Sequence, residues 1–406
     1  MACATLGALV AVRVDRLLGW RAAYATACAL VVFYAVAWSY LTLTGPAPLT
    51  RMGGPIGGDF IAFHTAGRFL LQGRAAQLYD KPAVRDQQRE TMVGLLTPYV
   101  PFRNPPFFAL PFALLALLDL VPSYLVWMVL GVIGIAVAVW RVLPQSLQAH
   151  RREVLVLAFA FTPVYLGLGG NTAPLALLLW VLVYRALHCG KDVEAGMWAA
   201  FGLFKPQLFI LLPVVFLLTR RWRALGVYAA VATVLGLVSL GVVGVEGMRG
   251  WVQVMLSSEL EGSITAHFGL RMHGLKAFFD LLWPGVPALV GTIVASGVVL
   301  CALVHVWLKS IGPLSLRIAF TMVAALLVNP HLFDYDLTLL VLVGILVGHL
   351  VRAKWWFLAG YVLLLIRAPI PLGESYLQLT VLLFMGFGCW LYRQILSAGP
   401  EAALQA

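Results

Sequence analysis

The sequence predicts an all-α integral membrane protein that crosses the bilayer many times. Of its 406 residues, 62% are hydrophobic and 11% are charged, whereas a soluble domain carries about 25% charged residues. The apolar residues fall in long unbroken runs. Residues 22–44, 224–244 and 286–308 contain no Asp, Glu, Lys or Arg, and each approaches the ~20 residues that span hydrocarbon as a helix. No strand-like alternation of roughly ten residues repeats, which argues against a β-barrel.

The positive-inside rule threads the chain in order. Arg13, Arg16 and Arg21 precede the first apolar run, which is too long for a signal-peptide core. It is read as a retained span with a cytoplasmic N-terminus. Residues 45–103 form a first extracytoplasmic loop. Residues 104–121 are apolar but hold Pro105, Pro106, Pro111 and Pro122. A full crossing here, followed by the span 123–141, would leave Arg141, Arg151 and Arg152 outside, so 104–121 is read as re-entrant or shallow. Residues 153–167 lead out and 171–187 return. Residues 195–219 lie between cytoplasmic basic residues and are too few for two crossings. Lys205-Pro206 breaks them in the middle, which predicts a short re-entrant pair with Lys205 at its outer turn.

Residues 224–244 lead out to a second extracytoplasmic loop, 245–285, and 286–308 return. Residues 318–328 reach Asn329-Pro330-His331, and 337–350 return. Residues 355–366 lead out to Arg367 and Glu374, and 376–392 end at Arg393. The expectation is one polytopic membrane domain over 1–406, with about 11–13 transmembrane helices. The formal charge of +11 fits cytoplasmic anchoring of such spans, and nucleic acid is not an expected partner. Cys3, Cys28, Cys189, Cys301 and Cys389 are scattered, with no disulfide framework or metal spacing. They read as small buried hydrophobes.

On this threading Asp59, His64, Asn171, Lys205, His267, His273, His331, Asp334, Arg367 and Glu374 fall on the outer side. Ionisable groups gathered at a membrane face are a candidate site. Asp59 follows Gly57-Gly58 and opens a helix whose Phe60, Phe63, Ala66 and Leu70 share one face. His64, Thr65, Arg68 and Gln72 share another, the pattern of an amphipathic helix in the interface. Asp59 is either the N-cap or a general base. Asp80, before Lys81-Pro82, caps a second helix with a solvated face of Arg85, Asp86, Arg89 and Glu90. Lys205, ringed by Phe201, Leu203, Phe204, Leu208 and Phe209, either snorkels or meets a phosphate.

His331 and Asp334 are three apart and share a face if helical. One His with Asp334 and Asp336 is thin for a metal site, and a capping cluster reads equally well. His267, Arg271 and His273 either meet an anionic head group or belong to a solvated loop. No Walker loop, dinucleotide fingerprint, zinc pair or nucleophile elbow is present. The cytoplasmic loops are short, so an activated substrate is expected to be lipid-borne.

These motifs resemble glycosyltransferase family 87. It belongs to the GT-C class of polyprenol-phosphate-sugar-dependent membrane enzymes and includes actinobacterial mannosyltransferases of phosphatidylinositol mannoside synthesis. The resemblance runs from Gly57 to Leu340. It is carried by Gly58-Asp59-Phe60, Leu78-Tyr79-Asp80, Asn104-Pro105-Pro106-Phe107, Gly170-Asn171, Lys205-Pro206-Gln207 with Arg220-Arg221-Trp222-Arg223, and Asn329-Pro330-His331 with Tyr335-Asp336. Asn171 stands where Gln is usual and Asn104 where an aromatic residue is usual.

The resemblance implies a GT-C-like helical bundle. It also implies inverting transfer of mannose or another hexose from polyprenyl phosphate to a lipid or glycan hydroxyl, on the outer side of a bacterial plasma membrane. Asp59 maps onto the base. The Lys205 position is expected to face the donor phosphate. By their charge and place on the outer side, His331 and Arg68 are further candidates there, and His64, Asn171, Gln207, His267, Arg271, His273 and Asp334 are the candidate substrate contacts. The sugar-lipid donor is a substrate; no cofactor is implied, and a divalent metal has no ligand set behind it. The alternative is a transporter or flippase for a lipid-linked or sugar substrate, with broken helices around a midplane site. No internal repeat supports it.

Overall fold

Apolar runs become helices here, and proline and glycine decide where those helices stop. The computed structural model describes residues 20–93, 99–256, 269–309, 312–348, 350, 360, 362 and 369–398. Trp20–Leu43 ends before Thr44-Gly45-Pro46. Leu120–Val142 ends before Pro144. Val286–Leu308 begins just after Gly285, with Pro287 in its first turn. Proline suits that place because its missing N–H has no partner there anyway.

Among the described residues five helices are long and apolar enough to cross a membrane, and six if the bent pair Thr162–Leu168 and Ala173–His188 is one span. Their large apolar residues are widely exposed, including Phe33, Val129, Leu237 and Ile293. Exposed stripes of that size would not stay in water. The protein is therefore an all-α membrane protein.

Shorter apolar helices occupy the stretches where the sequence is broken. Residues 104–121 hold a 3-10 turn, Pro106–Ala109, and a short helix, Leu110–Leu115. Residues 192–218 form Asp192–Phe201, the turn Gly202–Phe204, Pro206–Phe209 and Leu211–Leu218, with Lys205 non-helical at the break (φ −139°, ψ 69°). The described residues of the expected second loop are largely helical. Trp222–Leu256 runs on past a kink at Gly244, and Leu275–Leu282 follows. Apart from residues 360 and 362, the stretch expected to span at 355–366, with Arg367, lies outside the described residues. A two-stranded antiparallel hairpin pairs Ile370–Leu372 with Ser375–Leu377. Cys189, Cys301 and Cys389 are exposed rather than buried, on the apolar and terminal surfaces of their helices.

The chain divides into two compact units. One comprises Val36–Ile135 and Leu166–Gly269, the other Met1–Ala35, Ala136–Tyr165 and Leu270–Ala406. In the first, the helix Phe60–Leu71 is enclosed, with nine of its residues buried. Its phenylalanines pack on the proline-rich segment, with Phe63 stacked on Phe112 at 4.8 Å and edge-on to Phe108 at 6.1 Å. Gly67 lets the backbone of Phe112 come into contact. The expected interfacial helix is thus a core helix, because the segment after Pro105-Pro106 folds over its aromatic face. The helix Lys81–Thr91 is as expected: the Asp80 carboxylate accepts from the Ala83 N–H at 3.0 Å, and Arg85, Asp86, Arg89 and Glu90 line its more open side.

In the other unit Leu314–Val328 is almost wholly buried and ends at Asn329, which Pro330 pushes out of helical geometry (φ −67°, ψ 118°). The chain at Met272 pairs with Phe333 as an antiparallel bridge, and the His273 N–H donates to the Leu332 carbonyl at 2.8 Å. Gln378 donates its side-chain amide to the carbonyls of Leu270 and Met272 at 3.0 and 2.8 Å. Arg271 forks onto Asp334, its Nε reaching Oδ2 at 3.2 Å and its Nη2 reaching Oδ1 at 3.1 Å.

Asp334 is 1% exposed while the arginine side chain is 48% exposed, so the buried partner has more to lose. Arg271→Ala is expected to destabilise the protein by about 1–3 kcal/mol, below the range for fully buried pairs because water reaches the guanidinium. Adding Asp334→Asn should recover part of that loss in thermal melts in detergent.

Candidate functional site

Two glycine turns far apart in sequence meet in the unit that carries Asp59. Gly57 and Gly58 have φ +86° and +51°, and Gly170 has φ +101°, a region that glycine adopts with least strain. A Cβ on Gly170 would run into the Gly57 carbonyl oxygen, one on Gly58 would reach the Gly169 carbonyl at 3.1 Å, and one on Gly57 would meet the Tyr124 ring at 2.7 Å. The contact is backbone on backbone, so the motifs of Asp59 and Asn171 are held in one place.

Tyr124 and Trp127 fasten that junction. Tyr124 donates to the Leu168 carbonyl at 3.2 Å and accepts from the Trp38 indole at 3.3 Å. The Trp127 indole donates to the Asn171 carbonyl at 3.1 Å and stacks on Phe60 at 6.3 Å. Neither residue stands out in the motif pattern. A signal was present nonetheless: a Tyr and a Trp three apart in a largely aliphatic span must find partners for OH and N–H.

Asp59 opens the helix Phe60–Leu71 but makes no capping hydrogen bond through its side chain, and it is exposed. Its capping alternative is thereby removed. The protein itself does not enclose the carboxyl.

Lys205 sits in a second cluster of the same unit. The preceding residue, Phe204, stacks on Phe108 at 4.7 Å, and its carbonyl accepts from Asn104 Nδ2 at 2.8 Å. Tyr79 donates its hydroxyl to the Asn104 carbonyl at 2.6 Å. Next to Asn104, the Arg103 carbonyl accepts from the Trp251 indole at 3.2 Å and the Phe107 N–H donates to Ser239 Oγ at 3.1 Å. Lys205 and Gln207 are both half-buried. The rings of Phe60, Phe63, Phe108, Phe112 and Phe204 join the two clusters in a continuous chain of aromatic contacts. The motifs of Asp59, Tyr79, Asn104, Asn171 and Lys205 are therefore gathered in one compact unit.

Other expected residues stand differently. His64 is 3% exposed and donates from Nε2 to the Leu118 carbonyl at 3.0 Å. Burial holds its imidazole below the ordinary pKa, with the nearby Arg68 adding to that effect. This corrects the polar-face reading of His64: the ring is packed inside rather than presented on a polar face. Arg68 itself is half-buried in the last turn.

His273, also expected to touch substrate, is fully buried, with Nδ1 bonded to Thr380 Oγ1 at 2.7 Å. Arg271 pairs with Asp334, so among the described residues His273 is buried away from Arg271's exposed guanidinium rather than beside it in a cationic cluster. His267 lies outside the described residues. His331 and Asp334 do not share a helical face, because Asp334 starts the 3-10 turn Asp334–Leu339 and His331 precedes it. The His331 N–H donates to Asn329 Oδ1 at 2.9 Å and the Phe333 N–H to Asp336 Oδ2 at 3.4 Å, the capping arrangement. His331 is half-buried and belongs, with Arg271, His273 and Asp334, to the other compact unit. Among the described residues no group of three or more His, Cys, Asp or Glu is placed to hold a metal ion.

Fold and site together define a multi-spanning helical membrane protein whose polar motifs are held at helix breaks. The chain matches the model of glycosyltransferase family 87 over residues 102–330, more than half its length, and belongs to that family. It is a membrane glycosyltransferase, acting between a sugar donor and an acceptor. The matched stretch holds Asn104, Asn171, Lys205 and Asn329-Pro330; Asp59 and His331 lie outside it. No curated protein and no solved structure matches the chain.

Replacing Gly170 by Ala must push the two turns apart and strain a left-handed residue. The expected loss is about 1–3 kcal/mol, read as a lower Tm in detergent. Gly190→Ala, at a positive φ (+67°) with no atoms near the added methyl, is the control and should lose less.

Proposed function

We infer that this chain moves a hexose, such as mannose, from a polyprenyl-phosphate donor to a hydroxyl of a lipid or glycan acceptor. The reaction proceeds with inversion on the extracytoplasmic face of a bacterial plasma membrane. The observation that carries this reading is the Asp59 carboxyl. It stands exposed at the mouth of a buried helix, makes no cap, and rests on a glycine junction that holds it beside Asn171.

In the transfer, a carboxylate oxygen of Asp59 takes the proton of the acceptor hydroxyl as that oxygen forms its bond to C1 of the sugar. The bond from C1 to the donor phosphate oxygen breaks on the opposite face, and its electron pair leaves with polyprenyl phosphate. Attack opposite the leaving group inverts the anomeric centre. Charge grows on the departing phosphate. The Lys205 ammonium offsets it as a compact point charge, with Arg68 of the same unit as a further donor-phosphate contact. Asn171 and Gln207, both half-buried, offer side-chain amides to sugar hydroxyls. The apolar faces on either side suit a donor whose polyprenyl tail remains in the bilayer.

Purified protein in lipid, given a panel of radiolabelled polyprenyl-phosphate sugars and membrane extract, tests the reading. Wild type is expected to transfer one of them, and Asp59→Asn to lose about 10²–10⁴-fold in rate while remaining folded. Full activity in the folded Asp59→Asn variant would remove Asp59 as the base. Uptake of sugar-lipid into liposomes without transfer from any donor would overturn the polyprenyl-phosphate reading.

A further inference from the structure

We propose that Asn104 is a positioning residue for Lys205; the proposal rests on the reading of Lys205 as the cation that meets the donor phosphate. The break at Lys205 creates the need. In a continuing α-helix the Phe204 carbonyl would accept from the N–H four residues on. Here that residue, Leu208, donates instead to the Lys205 carbonyl at 3.0 Å, and Pro206 has no N–H to offer. A carbonyl freed inside a buried turn needs another donor. Asn104 supplies it from a hundred residues earlier in the chain, its Nδ2 at 2.8 Å.

The backbone that carries this side chain is itself held. Tyr79 bonds the Asn104 carbonyl at 2.6 Å, Trp251 bonds the Arg103 carbonyl at 3.2 Å, and Ser239 takes the Phe107 N–H at 3.1 Å. Phe108 lies flat on the Phe204 ring at 4.7 Å. The peptide plane between Phe204 and Lys205 is therefore fixed at its oxygen and steadied by the neighbouring ring. That plane sets where the Lys205 Cα points. A lysine stem is long and rotatable, so the reach of its ammonium depends on the backbone that launches it. The chemistry is specific to an amide: an aspartate of the same shape would turn an oxygen toward the carbonyl, and alanine would leave it unsatisfied.

Binding of radiolabelled polyprenyl phosphate to the full chain in lipid nanodiscs tests this without requiring the sugar to be known. Lys205→Ala is expected to weaken binding. Asn104→Ala and Asn104→Asp should each weaken it by about three- to tenfold, the range expected for one lost hydrogen bond. The double variant Asn104→Ala/Lys205→Ala should bind no more weakly than Lys205→Ala alone, since the asparagine acts only through the lysine. Asn104→Gln, which keeps the donor, should restore part of the affinity.

If Lys205→Ala binds like wild type, the phosphate reading of Lys205 falls and the role of Asn104 with it. If Lys205→Ala is impaired while Asn104→Asp binds like wild type, Lys205 keeps its role and Asn104 loses its own. Losses that add in the double variant would likewise remove Asn104 from this role, because it would then act on binding by a route other than Lys205.

Discussion

A helix broken inside an apolar interior frees backbone groups that lipid cannot satisfy, and this constraint organises the structure. Each costs several kcal/mol if left bare, in order of magnitude. The chain breaks its helices at Lys205-Pro206 and at Asn329-Pro330, and it starts a short 3-10 turn at Pro105-Pro106. In each case a side chain, distant or local, meets the freed group. Asn104 takes the Phe204 carbonyl, Ser239 takes the Phe107 N–H, and Asn329 takes the His331 N–H with its own side chain. The motif residues are thus partners for one another's breaks as well as candidates for chemistry.

Aromatic packing turns these local repairs into one framework. Phe60 and Phe63 lie on the enclosed helix, Phe108 and Phe112 on the proline-rich segment, and Phe204 just before Lys205. Their rings stand 4.7–6.2 Å apart in successive pairs. Rings in contact at such distances add about 0.5–1.5 kcal/mol per pair beyond the area they bury. A framework of this kind holds an acid and a cation in fixed places while their polar ends stay accessible.

The glycine junction has a different logic. Gly57 and Gly170 meet where no side chain fits, so the position of Asp59 depends on two residues that carry no chemistry of their own. His64 and His273 show the reverse. Both carry chemistry by type, and both are used for packing, one against the Leu118 carbonyl and one against Thr380.

Much of this was legible in the sequence, because apolar length and charge bias act locally along the chain. The membrane class, the long helices, the Asp80 cap and the break at Lys205 all follow from runs, prolines and capping residues within a few positions of each other. The family motifs were legible too, as short patterns in a set order. Sequence order could not say which motifs touch. That the Gly57 turn rests on Gly170, that Asn104 reaches Phe204, and that Tyr124 and Trp127 bind the junction are contacts between residues 44 to 113 positions apart. Nor could a helical wheel tell that the polar face of Phe60–Leu71 would be enclosed, since its period records only which residues share a side. The covering came from the segment after Pro105-Pro106. Local rules determine where helices start and stop; only tertiary packing, by deciding which freed backbone group finds which donor, settled which residues became neighbours.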